Sequence, residues 1–429
     1  MPMNSHARIP TLIHGKNHRV VAVIIAVICV VCIAGAWWTA PIRLSALSPA
    51  QSPFLEPLPA TRVSEGYEEA MRVAFDVDVP APVIVGGLLI SVSNGAETLV
   101  GADDTQHRHD GSTVSAFDPA TGDKVWEYRR ELDVCSLAHG WGEVIISYRS
   151  GLGCGEVVSI DALTGNYSST RSSIAPPVVA PVASNDRVGV VASTRVELWR
   201  NDLVRTVEFG RVEAKQEPEM QPYEECEINS ALTRTDVLAV AHKCEDIGYL
   251  RVIGTTPEDS RKPELTFEAP LPSPHAQVVG VTSSAVAVYV PGDHPSLMLF
   301  DAEGTLRSTS TVAASPAVDQ ANGVYSPAVA DLPHHITWFD GARLYVLHPT
   351  QLDILFTFDD AIGTPINVGS SLVYPTASGI NVADWTTGEV VSSLPLDRGD
   401  FSGTTALKSS GKNLVEKQGH ELVVYRPRA

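Results

Sequence analysis

Short runs of alternating apolar and polar residues recur along most of the chain, separated by turn residues. Residues 115–128 show the pattern best: a turn that contains Asp118, Thr121 and Gly122 separates two alternating runs, and Trp126 lies in the second. Asp and Thr side chains can hydrogen-bond to turn backbone, and Gly adopts a positive φ without a steric penalty. The segment is therefore predicted to form a β-hairpin of two short strands.

The same pattern repeats in sets of four strands with a period of about forty residues, which is typical of propeller blades. The third strands are centred near Ala116, Ser159, Leu198, Val252, Leu299, Val346 and Ala383. The turn chemistry recurs at Asp161, Thr164, Gly165, Asp384, Thr387 and Gly388. The short strands are rich in Ile, Leu and Val and are joined by such turns, and the chain shows no long amphipathic helical pattern. Both observations indicate an all-β fold.

The ends of the chain indicate how the repeat closes. A last set, after residue 405, has only three strands, and a lone strand is predicted at 71–79. Pairing the first strand with the last three would complete a ring and remove exposed edges. We therefore expect an eight-bladed β-propeller of four-stranded blades, with a seven-bladed ring as the alternative. Stacked sandwiches or an open solenoid would leave the spare strand unexplained.

An uninterrupted apolar run at 20–36 precedes the repeats, and Trp37 and Trp38 follow it. Extended to residue 40, the run is about twenty residues long, enough for a helix to cross roughly 30 Å of hydrocarbon. Three cations precede it, whereas only Arg43 follows closely, so the N-terminus is expected to stay cytoplasmic. Cleavage after Ala36, as in a signal peptide, is the alternative.

These patterns divide the chain into four parts. They are a cytoplasmic tail (1–19), a transmembrane signal-anchor (20–40), a Pro-rich spacer (41–69) and an extracytoplasmic propeller (70–429). The expected location is the cell membrane, with a single crossing. The net charge of −19 argues against a nucleic-acid partner, because such a surface repels phosphates.

The propeller region contains four cysteines, which allow three pairings. Separations of similar length at equivalent blade positions favour Cys135 with Cys154 and Cys226 with Cys244. Each closed loop would contribute about 3 kcal/mol in the loop-entropy model. A zinc site is the alternative, but no C-x-x-C or His spacing supports it.

The segment 116–126, with Asp118, Thr121, Gly122 and Trp126, resembles the repeat of pyrroloquinoline-quinone (PQQ)-like β-propellers. In that family the turn joins the third and outer strands, and the Trp docks between blades. The resemblance covers most of residues 71–427, strongly in one blade and weakly elsewhere. It implies a structural role for these motif residues.

The family has two branches with different functions. Quinoprotein dehydrogenases hold PQQ and Ca²⁺ and characteristically carry a vicinal disulfide, whereas this chain has no Cys-Cys dipeptide. The other branch is similar to the propeller lipoprotein of outer-membrane assembly, a cofactor-free scaffold. The resemblance thus implies a protein-binding scaffold without catalytic, cofactor or metal residues. A PQQ- or metal-dependent oxidoreductase is the first alternative, and an envelope ligand sensor is the second.

We expect the scaffold, a monomeric ectodomain, to bind cell-envelope proteins through the face that carries the cysteines and the longest loops. Those loops are predicted at 93–111, 211–225 and 313–323. Two acidic stretches, 103–110 with two histidines and 217–227, are interpreted as solvated loops rather than metal sites. His334 and His335 are interpreted as part of a turn.

Overall fold

The computed structural model describes residues 16–38, 41–95, 97–99, 107–109, 111–215 and 217–428. The chain divides into two compact units, Met1–Ala46 and Leu47–Ala429. In the first, helix α1 (Lys16–Trp38) is followed by a 3₁₀ turn, Pro41–Leu44. Its segment Arg19–Trp38 has a mean hydropathy of 3.0 and no buried residues, so it could cross a membrane, a property that signal sequences share.

The second unit is a ring of eight antiparallel four-stranded blades. Before blade 1 lie β1 (Ser45–Ser48), which crosses the boundary between the two units, and β2 (Tyr67–Ala74). Blade 1 contains β3 (Val83–Val85), β4 (Leu88–Asn94), β7 (Ser112–Phe117) and β8 (Lys124–Arg130), and β5 (Glu97–Leu99) with β6 (His107–His109) forms a separate hairpin. Blade 2 contains β9 (Val134–Gly140), β10 (Glu143–Ser150), β11 (Gly153–Asp161) and β12 (Tyr167–Ser172). Blade 3 contains β13 (Ala180–Ala183), β14 (Val188–Val191), β15 (Arg195–Trp199) and β16 (Arg205–Gly210).

The remaining blades follow the same order. Blade 4 contains β17 (Glu227–Arg234), β18 (Val237–Cys244), β19 (Ile247–Gly254) and β20 (Leu265–Leu271). Blade 5 contains β21 (Gln277–Val281), β22 (Ala285–Val290), β23 (Ser296–Asp301) and β24 (Leu306–Thr311), followed by a short helix α2 (Pro316–Asp319). Blade 6 contains β25 (Ala328–Asp331), β26 (Ile336–Phe339), β27 (Leu344–Leu347) and β28 (Ile354–Phe358). After β29 (Gly363–Thr364), blade 7 contains β30 (Ile366–Val368), β31 (Ser371–Thr376), β32 (Gly379–Asp384) and β33 (Val390–Pro395).

Blade 8 closes the ring in the way that the sequence predicts. Its strands β34 (Thr405–Ser410), β35 (Asn413–Gln418) and β36 (Glu421–Pro427) are completed by β2, which pairs antiparallel with β36. The closing strand runs from Tyr67 to Ala74 rather than from Met71 to Val79. After Ala74 the Phe75 N–H still donates to His420 O of blade 8 at 2.7 Å, but the Asp76 N–H donates to Val92 O of blade 1 at 2.9 Å, so the chain leaves blade 8 there. Eight blades, rather than seven, are therefore present.

The core lies between neighbouring blades. One buried cluster joins Val424 of blade 8, Leu89 of blade 1 and Ile146 of blade 2, and similar clusters join the later blades. Because each sheet is covered on both faces, its inner three strands are almost continuously apolar. The ring therefore forms a rigid frame for its loops and its channel.

The spacer follows the Thr-Gly-turn face of the propeller. The Ala50 and Phe54 N–H groups donate to Thr164 O and Leu163 O of blade 2, both at 2.9 Å. Pro57 then contacts Gly87 of blade 1 and Gly411 of blade 8. The spacer from Ala50 to Pro57 thus lies on one face of the ring. The opposite face carries the loops between second and third strands.

Candidate functional site

The repeated Asp-x-x-Thr-Gly turns are closed by their own side chains. Asp161 Oδ1 accepts hydrogen bonds from the Thr164 N–H at 2.8 Å and the Thr164 hydroxyl at 2.6 Å. Asp118 accepts from the Thr121 hydroxyl at 3.2 Å, and Asp384 accepts from the Thr387 N–H at 2.9 Å. These carboxylates are engaged in the turn backbone of their own blades.

Trp126 connects blade 1 to blade 2. Its side chain is 1% exposed, and its indole N–H donates to Ala162 O at 2.7 Å. The turn glycine of blade 2, Gly165, has a φ of 70°. A Cβ at Gly165 would lie 2.6 Å from the Cβ of Trp126, so the glycine leaves the space that the indole occupies.

The structure reveals three further contacts of this kind that the sequence pattern did not indicate. Phe267 lies against Gly304 of the next blade, Phe356 lies against Gly388, and Met71 lies 3.7 Å from the Cβ position of Gly122. Each large residue lies on the outer strand of its blade. Like Trp126, it pairs with the third-strand residue that comes immediately before a β-bulge. A search for Trp alone could not find them, because Phe and Met fill the same space.

Two other junctions have the reverse arrangement. Ser169 and Ser308 occupy the register position of Trp126. The next blade then has Leu203 or Leu352 in the place of the turn glycine, with positive φ values of 59° and 62°. Both leucines are buried. A junction is thus filled in one of two ways. Either a large residue faces a glycine of the next blade, or a serine faces a leucine of the next blade.

Both disulfides predicted from the sequence are present. Cys135 bonds to Cys154 and Cys226 bonds to Cys244, at the face opposite the Thr-Gly turns. The predicted binding face therefore has two covalently closed loops. Of the described residues, only Cys226, His242 and Cys244 group as potential metal ligands. Their two sulfurs are joined in the disulfide, so they are not thiolate ligands in this state.

An apolar patch, defined here as Leu152, Ile174, Pro177 and Val178, lies beside the first disulfide. Leu152 is 58% exposed and Val178 is 72% exposed. The segments are held together because the Ala175 N–H donates to Leu152 O at 3.0 Å and the Cys154 N–H donates to Pro176 O at 3.0 Å. The patch is therefore presented by an ordered loop pair.

Three carboxylates of the acidic loop of 217–227 form ion pairs with nearby cations. Glu217 pairs with Arg261 at 3.2 Å, Glu224 pairs with Lys215, and Glu225 pairs with Arg211 at 3.6 Å. Among the residues described, these carboxylates do not converge on one point. In the other acidic stretch, residues 103–106 and 110 lie outside the described residues. His334 and His335 do form a turn, since the Leu332 N–H donates to His335 O at 2.8 Å.

A buried aromatic cluster surrounds His242 in blade 4. The His242 ring contacts Phe209, Tyr223 and Tyr249, with centroid distances from 5.5 to 6.2 Å. Arg251 donates to the imidazole and lies over the Tyr223 ring at 3.6 Å. Burial first, and the charge of Arg251 second, lower the pKa of His242 to about 3.

The inner strands enclose a central channel with a cavity of about 760 Å³. Four titratable side chains line it: His139 of blade 2, Arg234 of blade 4, Asp331 of blade 6 and Lys408 of blade 8. Arg234 Nη2 pairs with Asp331 Oδ1 at 3.1 Å. No sequence pattern indicated this set, because its members are far apart in the chain and converge only through ring closure.

The enclosed channel shifts the pKa values of these groups, although His139 and Asp331 are exposed to the channel space and Lys408 is half-buried. Reduced access to bulk water, with a further contribution from Lys408, lowers the pKa of His139, so the imidazole is neutral at pH 7. The same effect lowers the pKa of Lys408, and Asp331 opposes that shift. It also raises the pKa of Asp331, against the opposing charges of Arg234 and Lys408.

Comparisons with known proteins give structural likeness at low sequence identity. No protein-family model and no curated protein matches the chain. The chain is similar to the solved structure of BamB from Moraxella catarrhalis, with 15% identity, a TM-score of 0.46, and coverage of 84% of this chain and 99% of that one. It is also similar to the Dos1 propeller, with 8% identity, a TM-score of 0.49, and coverage of 84% and 95%. The eight-bladed propeller fold of this chain rests on its own sheet topology.

Proposed function

We propose that this protein is a membrane-anchored, extracytoplasmic scaffold that binds other cell-envelope proteins through its loop-rich face. The observation that carries the proposal is the apolar patch of Leu152, Ile174, Pro177 and Val178. Exposed apolar groups on a rigid support are characteristic of protein-binding surfaces. The Cys135–Cys154 bond and the backbone bonds between the two loops reduce the entropy that these groups would lose on binding.

The proposed location follows from two independent features. Disulfides are typical of compartments outside the reducing cytosol, and this chain has two. The apolar helix Arg19–Trp38 is long enough to be an anchor. The excess of cations before it favours a cytoplasmic N-terminus, with the propeller on the other side of the membrane.

The proposed molecular role is binding rather than catalysis. The strongest motif, Asp118 to Trp126, supports assignment of the blades to the PQQ-like kind, and its side chains are engaged within and between blades. We expect a monomeric ectodomain that needs no cofactor for its structure or its binding.

The test is crosslinking in intact cells followed by purification of the full-length protein. Val178→Asp combined with Leu152→Asp would place two charges in the apolar patch. Val391→Asp is a matched control, because Val391 is 63% exposed on the outer strand of blade 7, away from the loop-rich face. Burying an unpaired carboxylate against a protein partner is strongly unfavourable, so the patch variant should lose its specific crosslinks.

Two results would overturn the proposal. One is an identical set of crosslinked envelope proteins for the wild type and the patch variant. The other is dye reduction by the purified protein when PQQ, Ca²⁺ and an alcohol are supplied, which would favour the oxidoreductase alternative. Loss of crosslinks in the patch variant, with retention in the control, supports the scaffold.

A further inference from the structure

The channel wall carries more basic than acidic side chains although the protein as a whole is acidic. Its basic residues are Arg234 and Lys408, its one carboxylate in the described wall is Asp331, and the pKa of its His139 is lowered. Two basic side chains thus face one acidic side chain, within a chain whose net charge is −19. A locally reversed charge in a concave site focuses the field on ligands of opposite sign.

Lys408 is the distinctive member of this set. Arg234 has a carboxylate partner in Asp331, and its Nη1 also donates to Pro349 O at 3.5 Å. Lys408 has neither an ion pair nor a hydrogen bond within the described part of the chain, and Asp331 acts on it only at longer range. Lys408 is half-buried in the channel wall, and an ammonium group that is partly removed from water without a partner is stabilised when an anion binds to it.

We propose that the central channel binds a small anionic molecule through Lys408, with Arg234 and His139 as further hydrogen-bond donors. The recognised chemistry is a phosphate or carboxylate group, because each offers several acceptor oxygens to an ammonium and a guanidinium. Arg234 retains free donors beyond its bond to Asp331, since a guanidinium carries five N–H groups.

The size and the remaining lining define the rest of the ligand. A cavity of about 760 Å³ is within the usual range for small-molecule sites. Apolar residues from several blades, including Leu137, Val182, Val281 and Ile336, complete the wall. The site therefore suits a small organic acid or a phosphorylated compound whose non-ionic part is compact. It does not depend on the proposed binding of proteins at the loop-rich face.

The test uses the full chain in detergent, with inorganic phosphate and citrate as separate probes in titration calorimetry and thermal melting. Lys408→Gln removes the unpaired cation but keeps a polar side chain of similar length. Lys412→Gln is the matched control, because Lys412 lies four positions away in the same blade, is exposed and does not line the channel. Asp331→Asn removes the only carboxylate of the described wall.

At least one probe is expected to bind the wild type and to raise its melting temperature. Lys408→Gln should weaken that binding at least about tenfold, because a hydrogen bond to a charged group is lost. Asp331→Asn should tighten it, and Lys412→Gln should leave it unchanged. Preference for phosphate or for citrate then identifies the anionic group.

Melting without a probe separates a binding effect from misfolding. Lys408→Gln should melt at or above the wild-type temperature, since it removes an uncompensated charge, while losing the increase caused by the probe. The proposal is overturned if neither probe binds the wild type up to about 10 mM, a concentration that corresponds to only a few kcal/mol of binding free energy. It is also overturned if Lys408→Gln binds as tightly as the wild type.

Discussion

The junction between blades 1 and 2 makes a quantitative prediction about how the ring is held together. Trp126 fills the junction and Gly165 leaves space for it, whereas equivalent junctions contain Ser169 with Leu203 and Ser308 with Leu352. If these are alternative solutions to one packing problem, the two positions must be energetically coupled. The double substitution Trp126→Ser with Gly165→Leu should then be less harmful than its two parts predict.

The single substitutions have separable energies. Truncating Trp126 removes a side chain that is 1% exposed, and such a change costs about 3–5 kcal/mol. It also removes the 2.7 Å hydrogen bond to Ala162 O, a further 1 kcal/mol or so. Gly165→Leu alone places a Cβ 2.6 Å from Trp126 and adds a positive-φ penalty of about 1–2 kcal/mol.

A matched glycine separates strain from the clash. Gly142, in another turn of blade 2, has a φ of 77° and no atom within 4 Å of its Cβ position. Gly142→Leu should therefore cost only the positive-φ penalty of about 1–2 kcal/mol. Any larger loss in Gly165→Leu is due to the indole beneath it.

The assay is denaturant unfolding of the wild type, the three single variants and the Trp126–Gly165 double variant, followed by fluorescence and circular dichroism. Contacting residues typically show coupling energies of 0.5–3 kcal/mol, and we expect a stabilising coupling of about 1–3 kcal/mol here. Strict additivity, or equal losses for Gly165→Leu and Gly142→Leu, would refute the complementary packing of the junctions. Coincident transitions of the two probes are required for the free energies to be compared.

Three further predictions address the disulfide, the buried histidine and the helix. Replacing Cys226 and Cys244 by Ser should lower the free energy of unfolding by about 3 kcal/mol in the loop-entropy model, and an unchanged denaturation midpoint would contradict this. Because the pKa of His242 falls from 6.5 to about 3 on folding, the unfolded state binds more protons between these values. The contribution of His242 to the free energy of unfolding should therefore be fully present above about pH 6.5 and should decrease toward pH 3. The His242→Phe variant should lose less stability over this pH range. If melting temperatures fall equally steeply with pH in both proteins, the buried imidazole is not neutral as inferred. Ile25→Arg with Ile28→Arg should release the protein from membranes in a carbonate wash, because each charge costs about 2.5–3.5 kcal/mol at the centre of a spanning helix, and retention in the pellet would speak against an anchor.

The sequence by itself determined the features that depend on neighbouring residues. The Asp118 turn is closed by hydrogen bonds within its own segment, and alternation within each strand sets which side chains face the next blade. The spare first strand and the incomplete last set were sufficient to predict eight blades and their closure, which the pairing of β2 with β36 confirms. Similar separations of 19 and 18 residues at equivalent blade positions likewise sufficed to favour the pairing of Cys135 with Cys154 and of Cys226 with Cys244, which the structure confirms.

Only the tertiary structure decided how blades fit one another and what lines the channel. Phe267 and Phe356 have the role of Trp126, but their glycine partners lie in the following blade, so no local pattern reveals the contact. Lys408 and His139 come from strands far apart in the chain and lie on one wall because the ring closes. Short-range hydrogen bonds and the strand period are encoded by residues close together in the sequence. The effect of a side chain's volume or charge depends instead on residues that lie across a blade junction or across the channel.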